Sequence, residues 1–201
     1  MNAELALFYQ QILHLTSAPL IQQLVSFSEV RKVRKRVVFH QSGKVQTTVD
    51  ILLHGLVRGF FLDRAGKEVT DCIALVPGTP LVSGFELGGA SVISLEAVEE
   101  TTMVSLPLAQ LAPLLQEPEL VRLYLEFQRD SLRKHWRNKL MLVQYTAQER
   151  YLWFVKEYPG VIDKMSHKHI ASFLGMTPVS LSRIRRSLRD GELSVRKRET
   201  P

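Results

Sequence analysis

The chain has 201 residues, of which 45% are hydrophobic and 23% are charged, so it can form one large domain or two small ones with real cores. Its single cysteine, Cys72, excludes an internal disulfide and a multi-cysteine metal or iron–sulfur site. The N-terminus lacks the basic start and apolar core of a signal peptide, and no apolar run reaches the length of a membrane span, so we expect a cytoplasmic protein.

The net charge of +6 is unevenly distributed along the chain. Residues 131–201 contain 15 Lys and Arg against 6 Asp and Glu, whereas residues 1–130 contain 11 against 14. The C-terminal part is therefore at +9 and the remainder at −3. A basic end attached to a mildly acidic body is typical of a nucleic-acid-binding module carried by a domain with another role.

The first 25 residues have a helical hydrophobic pattern. Apolar side chains recur at helical spacing, namely Leu5, Phe8, Ile12 and Leu15. A Ser-Ala-Pro sequence at residues 17–19 interrupts the pattern. We therefore predict a helical segment from Met1 to about Val25 that is broken at this point.

A basic cluster, Arg31-Lys32-Val33-Arg34-Lys35-Arg36, follows the helical segment. One interpretation is a nucleic-acid-binding site. The other is a solvated strand edge leading into Val37-Val38-Phe39, because lysine and arginine protect exposed edges from pairing with other chains. We favour the strand edge on the sequence alone.

From residue 37 to Leu106, short apolar runs alternate with glycine-rich turn signals. The runs have strand length and β-branched content: Val49 to Leu53, Val57 to Leu62, Val69 to Val76 and Val92 to Val98. Regular spacing of this kind predicts an antiparallel β-roll of the jelly-roll type. Because helices flank it on both sides, the predicted fold class is α+β.

A long helix is predicted from about Glu119 to Gln144, a stretch without internal glycine or proline. Apolar residues recur at intervals of four and seven: Leu125, Leu132, Trp136 and Val143. Such a helix can form a coiled-coil-like seam with a partner, or it can be buried within its own chain. We favour homodimerisation, because a helix-turn-helix usually binds a palindromic site through two-fold symmetry.

A domain boundary follows the long helix. Thr146-Ala147-Gln148-Glu149 is a capping box that predicts the start of a new helix, which ends at Pro159-Gly160. The predicted organisation is an effector-type β-roll domain at residues 1–117, a dimerisation and linker helix at residues 118–145, and a DNA-binding domain at residues 146–201.

The segment "HIASFLGMTPVSLSRIRR" has the pattern of a helix-turn-helix. Ser166 can cap a short helix that buries Ile170 and Leu174. Gly175 then ends this helix, and Thr177 followed by Pro178 marks the start of the next.

The second helix has two distinct faces. At about 100° per residue, Leu181, Ile184 and Leu188 fall within a stripe of roughly 60°. Another face, about 100° wide, gathers Val179, Ser182, Arg183 and Arg186. A purely structural hairpin with a solvated charged face would have the same apolar stripe, but it would not need Ser182, Arg183 and Arg186 together on one outward face.

The chain resembles the Crp/Fnr family of bacterial transcription regulators over nearly its whole length. The sharpest match is "TAQERYLWFVKEYP" followed by "HIASFLGMTPVSLSRIRR". The resemblance implies a cyclic-nucleotide-binding-like β domain that often senses a small effector, together with a winged helix-turn-helix. It also implies double-stranded promoter DNA, a second copy of the chain and RNA polymerase as partners.

By this resemblance, the residues that contact base edges are Val179, Ser182 and Arg183. Arg183 can bind a guanine edge through two hydrogen bonds, and Val179, where many relatives carry glutamate, can pack on a thymine methyl. Thr177, Ser180 and Arg186 are candidates for phosphate contacts. The segment from Glu192 to Arg198 is a candidate for part of a basic wing, which the nearby chain end leaves short.

The effector cassette departs from the cyclic-nucleotide-binding pattern of the family, which has Gly-Glu-Leu followed by Arg-Ser/Thr-Ala. Aligned on Pro77-Gly78, Ser83 takes the glutamate position, Ala90 takes the arginine position, and only Ser91 matches. Glu86 belongs to a displaced near-match, "GFEL". These four residues are the candidate effector pocket.

No lysine or arginine occurs between Glu68 and Val121, so a bound cyclic phosphate would lack a compensating charge. We therefore expect that the domain does not bind cyclic AMP in the usual way. Another ligand, a protein contact, a vestigial pocket and a haem group all remain open as alternatives, and no cofactor is identified.

Two other classes of protein compete with the regulator. A cupin-like metal enzyme would use histidines of the β-roll, but His40 and His54 lack the close His-x-His pair and following glutamate of such sites. His167 and His169 lie on a helix at positions about 200° apart, so they cannot easily share a metal. A helix-turn-helix protein that acts only through protein contacts is the other alternative. We expect no enzyme activity.

Overall fold

The computed structural model describes residues 2–84 and 86–198, with side chains described for residues 3–84 and 86–189. The chain divides into two compact units. Unit 1 comprises Met1–Phe61 and Asp71–Arg133, and unit 2 comprises Leu62–Thr70 and Lys134–Pro201. No helix among the described residues is both long enough and apolar enough to cross a membrane.

Unit 1 begins with two short helices, α1 (Asn2–Gln11) and α2 (Ala18–Phe27). The predicted break at residues 17–19 is confirmed. Ser17 caps α2 by accepting a hydrogen bond from the Leu20 amide, and Pro19 lies in the first turn, where its missing N–H costs nothing.

Eight strands follow among the described residues, arranged in two sheets. They are β1 (Glu29–Val33), β2 (Val38–His40), β3 (Thr48–His54), β4 (Val57–Leu62), β5 (Glu68–Ala74), β6 (Pro80–Leu81), β7 (Ser94–Ala97) and β8 (Thr101–Pro107). One sheet has the order β1-β8-β3-β6 and the other β2-β7-β4-β5. The predicted antiparallel β-roll is confirmed, and β1 lies at a sheet edge as the basic cluster indicated.

The central strands β3 and β8 are buried on both faces, because a sheet covers one side and helices cover the other. Side chains alternate along a strand, so Leu52 and Met103 point between the two sheets while Ile51 and Val104 point toward the helices. The helical layer packs on the outer face through apolar residues of α1 and α2.

Three polar side chains link the two sheets inside this core. Asp50 of β3 is fully buried, and its carboxylate accepts a hydrogen bond from the Ser105 hydroxyl of β8. Its second oxygen lies 2.6 Å from Nε2 of His40 on β2, in the other sheet. Burial alone would raise the pKa of Asp50, but the hydrogen bonds with His40 and Ser105 and the nearby charges of His40 and Arg31 hold that pKa below its usual range.

Replacing Asp50 with Asn should remove part of the acid sensitivity of the fold. A lowered pKa in the folded state gives stability that is fully present above the unfolded pKa of about 4 and is lost as the pH falls through the folded value. At pH 7 we expect Asp50→Asn to lower the free energy of unfolding by about 2 kcal/mol. Urea unfolding between neutral and acidic pH measures both effects, and a difference between variant and wild type that persists unchanged into acid would contradict this account.

The end of unit 1 leads into the long helix. After α3 (Leu108–Leu111) and a 3-10 turn at residues 112–114, α4 runs from Pro118 to Gln144, as the sequence predicted. Glu119 in its first turn accepts hydrogen bonds from the backbone N–H groups of Thr16 and Ser17 and from the Thr16 hydroxyl. These three bonds fix the start of α4 against the connection between α1 and α2.

Unit 2 contains the C-terminal part of α4 and four further helices: α5 (Ala147–Glu157), α6 (Val161–Lys164), α7 (His167–Phe173) and α8 (Pro178–Arg198). The predicted capping box of Thr146 and Glu149 is present in full. The predicted wing differs from the structure, because residues 192–198 continue α8. The residues of this segment are mostly good helix formers, which a single preceding glycine does not interrupt.

Candidate nucleic-acid interface

Helices α7 and α8 pack through the small and apolar residues that the sequence singled out. Ile170, Ala171, Leu174 and Leu181 have no exposed surface. The absence of a bulky side chain at Ala171 lets the two helices approach each other, and the Met176 amide donates to the Ala171 carbonyl across the turn at 2.9 Å.

The turn itself requires glycine. Gly175 has φ +61°, which side chains rarely adopt, and a Cβ there would lie 3.0 Å from the Leu142 methyl and 3.1 Å from Nη1 of Arg150. The same Nη1 donates to the Gly175 carbonyl at 3.5 Å. The turn between α7 and α8 is therefore held from two other helices of the unit, α4 and α5.

Thr177 caps the start of α8. Its hydroxyl oxygen accepts from the Ser180 amide at 3.1 Å and lies 2.9 Å from the Ser180 hydroxyl. Pro178 has no N–H and the Leu181 amide donates to the Thr177 carbonyl at 3.0 Å, so the Val179 amide is the first-turn donor left at this helix end, where the partial positive charge favours an anion.

The outward face of α8 presents the predicted contact residues together. Val179 is 60% exposed, and Ser182, Arg183 and Arg186 are also exposed. Within the described part of the chain, neither Arg183 nor Arg186 forms a hydrogen bond or an ion pair. Their guanidinium groups are thus available to an external acceptor, on a helix that Leu181 anchors from the opposite side.

Arg185 has a different environment from its neighbours. Its guanidinium contacts the ring of His167 on α7, so it connects the two helices instead of facing outward with Arg183. On the other side of α7, the Thr70 amide donates to the Ser172 hydroxyl at 3.1 Å. Residues from outside the motif therefore brace the first helix.

An aromatic cluster supports α7 from within unit 2. Phe173 contacts the rings of Trp153, Phe154 and Tyr158, with centroid distances of 5.6 to 6.4 Å. The sequence pattern placed aromatic residues on α5, but it did not indicate that they contact Phe173. This cluster gives the helix-turn-helix a rigid base.

The structure brings two of the four candidate effector-pocket residues together. Ser83 and Ser91 are buried, and their hydroxyl oxygens lie 2.7 Å apart. Glu86 and Ala90 are exposed, and Phe85 of the "GFEL" near-match lies outside the described residues.

Sequence reasoning missed Gln46, which lies at the centre of this region. Its buried side-chain oxygen accepts from the Ser83 amide at 3.1 Å and from the Ser83 hydroxyl at 2.8 Å. Its amide nitrogen donates to the carbonyls of Thr48 and Leu81 at 2.8 and 3.0 Å. The polar groups at the position of the cassette are thus already bonded to one another.

The histidines of the β-roll are not grouped as the ligands of a metal site would be. His40 bonds to the buried Asp50, and His54 is exposed at the end of β3. Among the residues that the structure describes, no three His, Cys, Asp or Glu side chains form a group that could hold a metal ion.

No protein-family model and no curated protein matches the chain. Solved structures do match it. FixK2 from Bradyrhizobium japonicum is 22% identical, with 82% of this chain and 86% of that chain covered and a TM-score of 0.69. A putative Crp/Fnr-family regulator from Eubacterium rectale is 13% identical, with coverages of 91% and 88% and a TM-score of 0.71.

A third similar structure is CLP from Xanthomonas campestris, described as a c-di-GMP-responsive global regulator. It is 15% identical, with 88% of this chain and 94% of that chain covered and a TM-score of 0.69. These likenesses establish the fold. The chain has the architecture of Crp/Fnr-type transcription regulators, and the predicted resemblance is confirmed at that level.

Proposed function

We propose that the protein is a DNA-binding transcription regulator of the Crp/Fnr type, which binds promoter DNA as a homodimer and contacts RNA polymerase. The proposal keeps the predicted division into a β-roll domain at residues 1–117, a dimerisation helix at residues 118–145 and a DNA-binding domain at residues 146–201. Two of the similar structures are described as a global regulator and as a transcriptional regulator of the Crp/Fnr family, which supports a regulatory role.

The observation that carries the proposal is the exposed face of α8. Arg183 has the geometry to form two hydrogen bonds to a guanine edge, Ser182 can donate or accept, and Val179 offers an apolar surface for a thymine methyl. The hydroxyls of Thr177 and Ser180 lie at the start of α8, and Arg186 lies about two turns further along it; phosphate contacts from such groups fix the register of a recognition helix.

The exposed stripe of α4 supports the homodimer. Leu120, Leu123 and Met141 on one side of α4 are buried, whereas large apolar residues on the other side are exposed: Leu125, Leu132, Trp136 and Val143. At about 100° per residue these four fall within roughly 40° of one another, as in a coiled-coil seam. A second copy of α4 would remove this stripe from water.

The polar residues inside the β-roll favour a sensor that differs from a cyclic AMP receptor. The Ser83 hydroxyl bonds to both Gln46 and the Ser91 hydroxyl, and Ala90 stands where a phosphate-binding arginine would be needed. We therefore propose that cyclic AMP is not bound in the usual mode.

Selection of genomic DNA tests the proposed function. Purified protein is mixed with fragmented DNA from its source genome, washed near physiological salt to suppress binding to phosphates alone, and the retained DNA is sequenced. We expect a palindrome whose half-sites lie about one helical turn apart. Retained DNA without any common sequence, under every effector condition tried, would contradict the proposal.

Arg183→Ala should weaken binding to that palindrome by roughly 5- to 150-fold, which corresponds to about 1–3 kcal/mol, and should relax base preference at one position of each half-site. Arg189→Ala is the matched control, because it removes the same charge from another exposed position of α8. Fluorescence anisotropy with the palindrome and its single-base variants measures both effects. Equal losses for the two variants would mean that Arg183 contributes only charge.

A further inference from the structure

A group of exposed cations lies on unit 1, outside the helix-turn-helix. Five of the six residues from 31 to 36 are lysine or arginine. Four of these five are exposed at the end of β1 and in the turn that follows it: Lys32, Arg34, Lys35 and Arg36. We refer to these four residues as the basic edge.

Arg31 does not belong to the basic edge. Side chains alternate along a strand, and Val33 on β1 is buried between the sheets at 5% exposure. Arg31 is two residues earlier and half-buried on the same side, where its charge acts on the Asp50 carboxylate. The alternation thus separates Arg31 from Lys32, the one member of the basic edge that lies within β1.

No described carboxylate neutralises the basic edge. None of its four side chains forms an ion pair or a hydrogen bond with another described residue. Other arginines of unit 1 do form such pairs, as Arg58 does with Glu96 at 2.5 Å and Arg122 with Glu126 at 3.2 Å. The cations of the basic edge are thus available to an external anion.

Protection of the strand edge does not account for the whole cluster. The outer edge of β1 is unpaired, and one exposed lysine within it would discourage pairing with another chain. The other three cations lie beyond β1, which ends at Val33, in a turn where Arg36 has φ +68°. Without Arg31 and the basic edge, residues 1–130 would contain 6 cations against 14 carboxylates, so these charges oppose the acidic character of this part of the chain.

We propose that the basic edge binds the phosphate backbone of duplex DNA. The inference rests on the proposed function, because it adds a second phosphate-binding surface to the one on α8. Lysine and arginine bind phosphates without base readout or an apolar anchor. Binding energy between proteins is usually concentrated in aromatic or other anchors that fill pockets, and residues 29–37 contain no aromatic side chain. The chemistry therefore favours nucleic acid over an acidic protein surface.

The salt dependence of DNA binding tests the inference. The full chain is titrated with a random-sequence duplex of about 60 base pairs between about 50 and 200 mM salt, and log K is plotted against log salt concentration. The variant Lys32→Gln/Arg34→Gln/Lys35→Gln removes three cations of the basic edge. The control Lys44→Gln/Arg64→Gln/Lys67→Gln removes three exposed cations elsewhere, so both have the same net charge.

The slope of this plot is negative, and each phosphate that the protein neutralises contributes about 0.9 to its magnitude. We therefore expect the magnitude of the slope to be smaller by about 2 to 3 for the basic-edge variant and nearly unchanged for the control. Equal slopes for the two variants would overturn the inference and would indicate that the basic edge binds another anionic partner.

A parallel Arg183→Gln/Arg186→Gln variant separates this result from the proposed function. If that variant binds the duplex as the wild type does while the basic-edge variant shows a smaller slope, α8 is not the DNA-binding surface but the basic edge is. If the wild type does not bind the random-sequence duplex at all, the inference fails, whereas the proposed function is decided by the selection of genomic DNA.

Discussion

Leu132→Asp should convert the proposed dimer into a monomer and lower its affinity for a palindromic site by roughly 10²- to 10⁴-fold. Leu132 lies in the exposed stripe of α4 and is 60% exposed in the single chain. In a two-stranded seam its replacement would bury a carboxylate near its symmetry mate, which costs desolvation as well as repulsion. Sedimentation velocity measures the mass, and anisotropy with the selected palindrome measures the affinity.

Ser131→Asp is the matched control for this variant. The neighbouring Ser131 is exposed on α4 about 100° away from Leu132, so the change adds the same charge to the same helix but outside the stripe. Circular dichroism establishes that both variants keep their helices. A Leu132→Asp protein that sediments as a dimer would show that α4 is not the seam.

Gln46→Ala should destabilise the β-roll by about 3 kcal/mol, because it leaves a buried amide, a buried hydroxyl and two carbonyls without their partner. For a chain of 201 residues, this loss corresponds to a decrease in melting temperature of about 6–12 °C. Scanning calorimetry measures the shift.

Exposed Gln41→Ala is the control for Gln46→Ala, and we expect it to have little effect on the melting temperature. Hydrogen exchange gives a local measure, since the Ser83 amide donates to Gln46 and should exchange faster only in the Gln46 variant. An unchanged exchange rate at Ser83 would show that water replaces the missing side chain at no cost.

Local rules predicted the elements that depend on nearby residues. The Thr146 capping box, the helix break at residues 17–19 and the turn at Gly175 each involve residues within about one helical turn, so their signals are contained in a short window. The outward face of α8 was predictable for the same reason, because helical periodicity alone separates Leu181 from Arg183.

Contacts between distant segments could not be predicted in this way. Gln46 meets Ser83 across 37 positions, and Asp50 meets Ser105 across 55. A polar residue in or beside a strand pattern gives no sign of whether it faces water or a buried partner, since both satisfy the same alternation. The interior polar links of the β-roll therefore required the three-dimensional structure.

The separation between the braced turn and the exposed face of α8 has an evolutionary consequence. Gly175 has φ +61°, a backbone conformation that strains residues with a side chain, whereas the side chains of Val179 and Arg183 make no described hydrogen bond or ion pair with the rest of the protein. In the proposed complex with DNA, substitutions at these two positions would change the bound sequence while the fold keeps its stability. A duplicated copy of the gene could acquire new targets through a few changes on α8, with no compensating change in the scaffold.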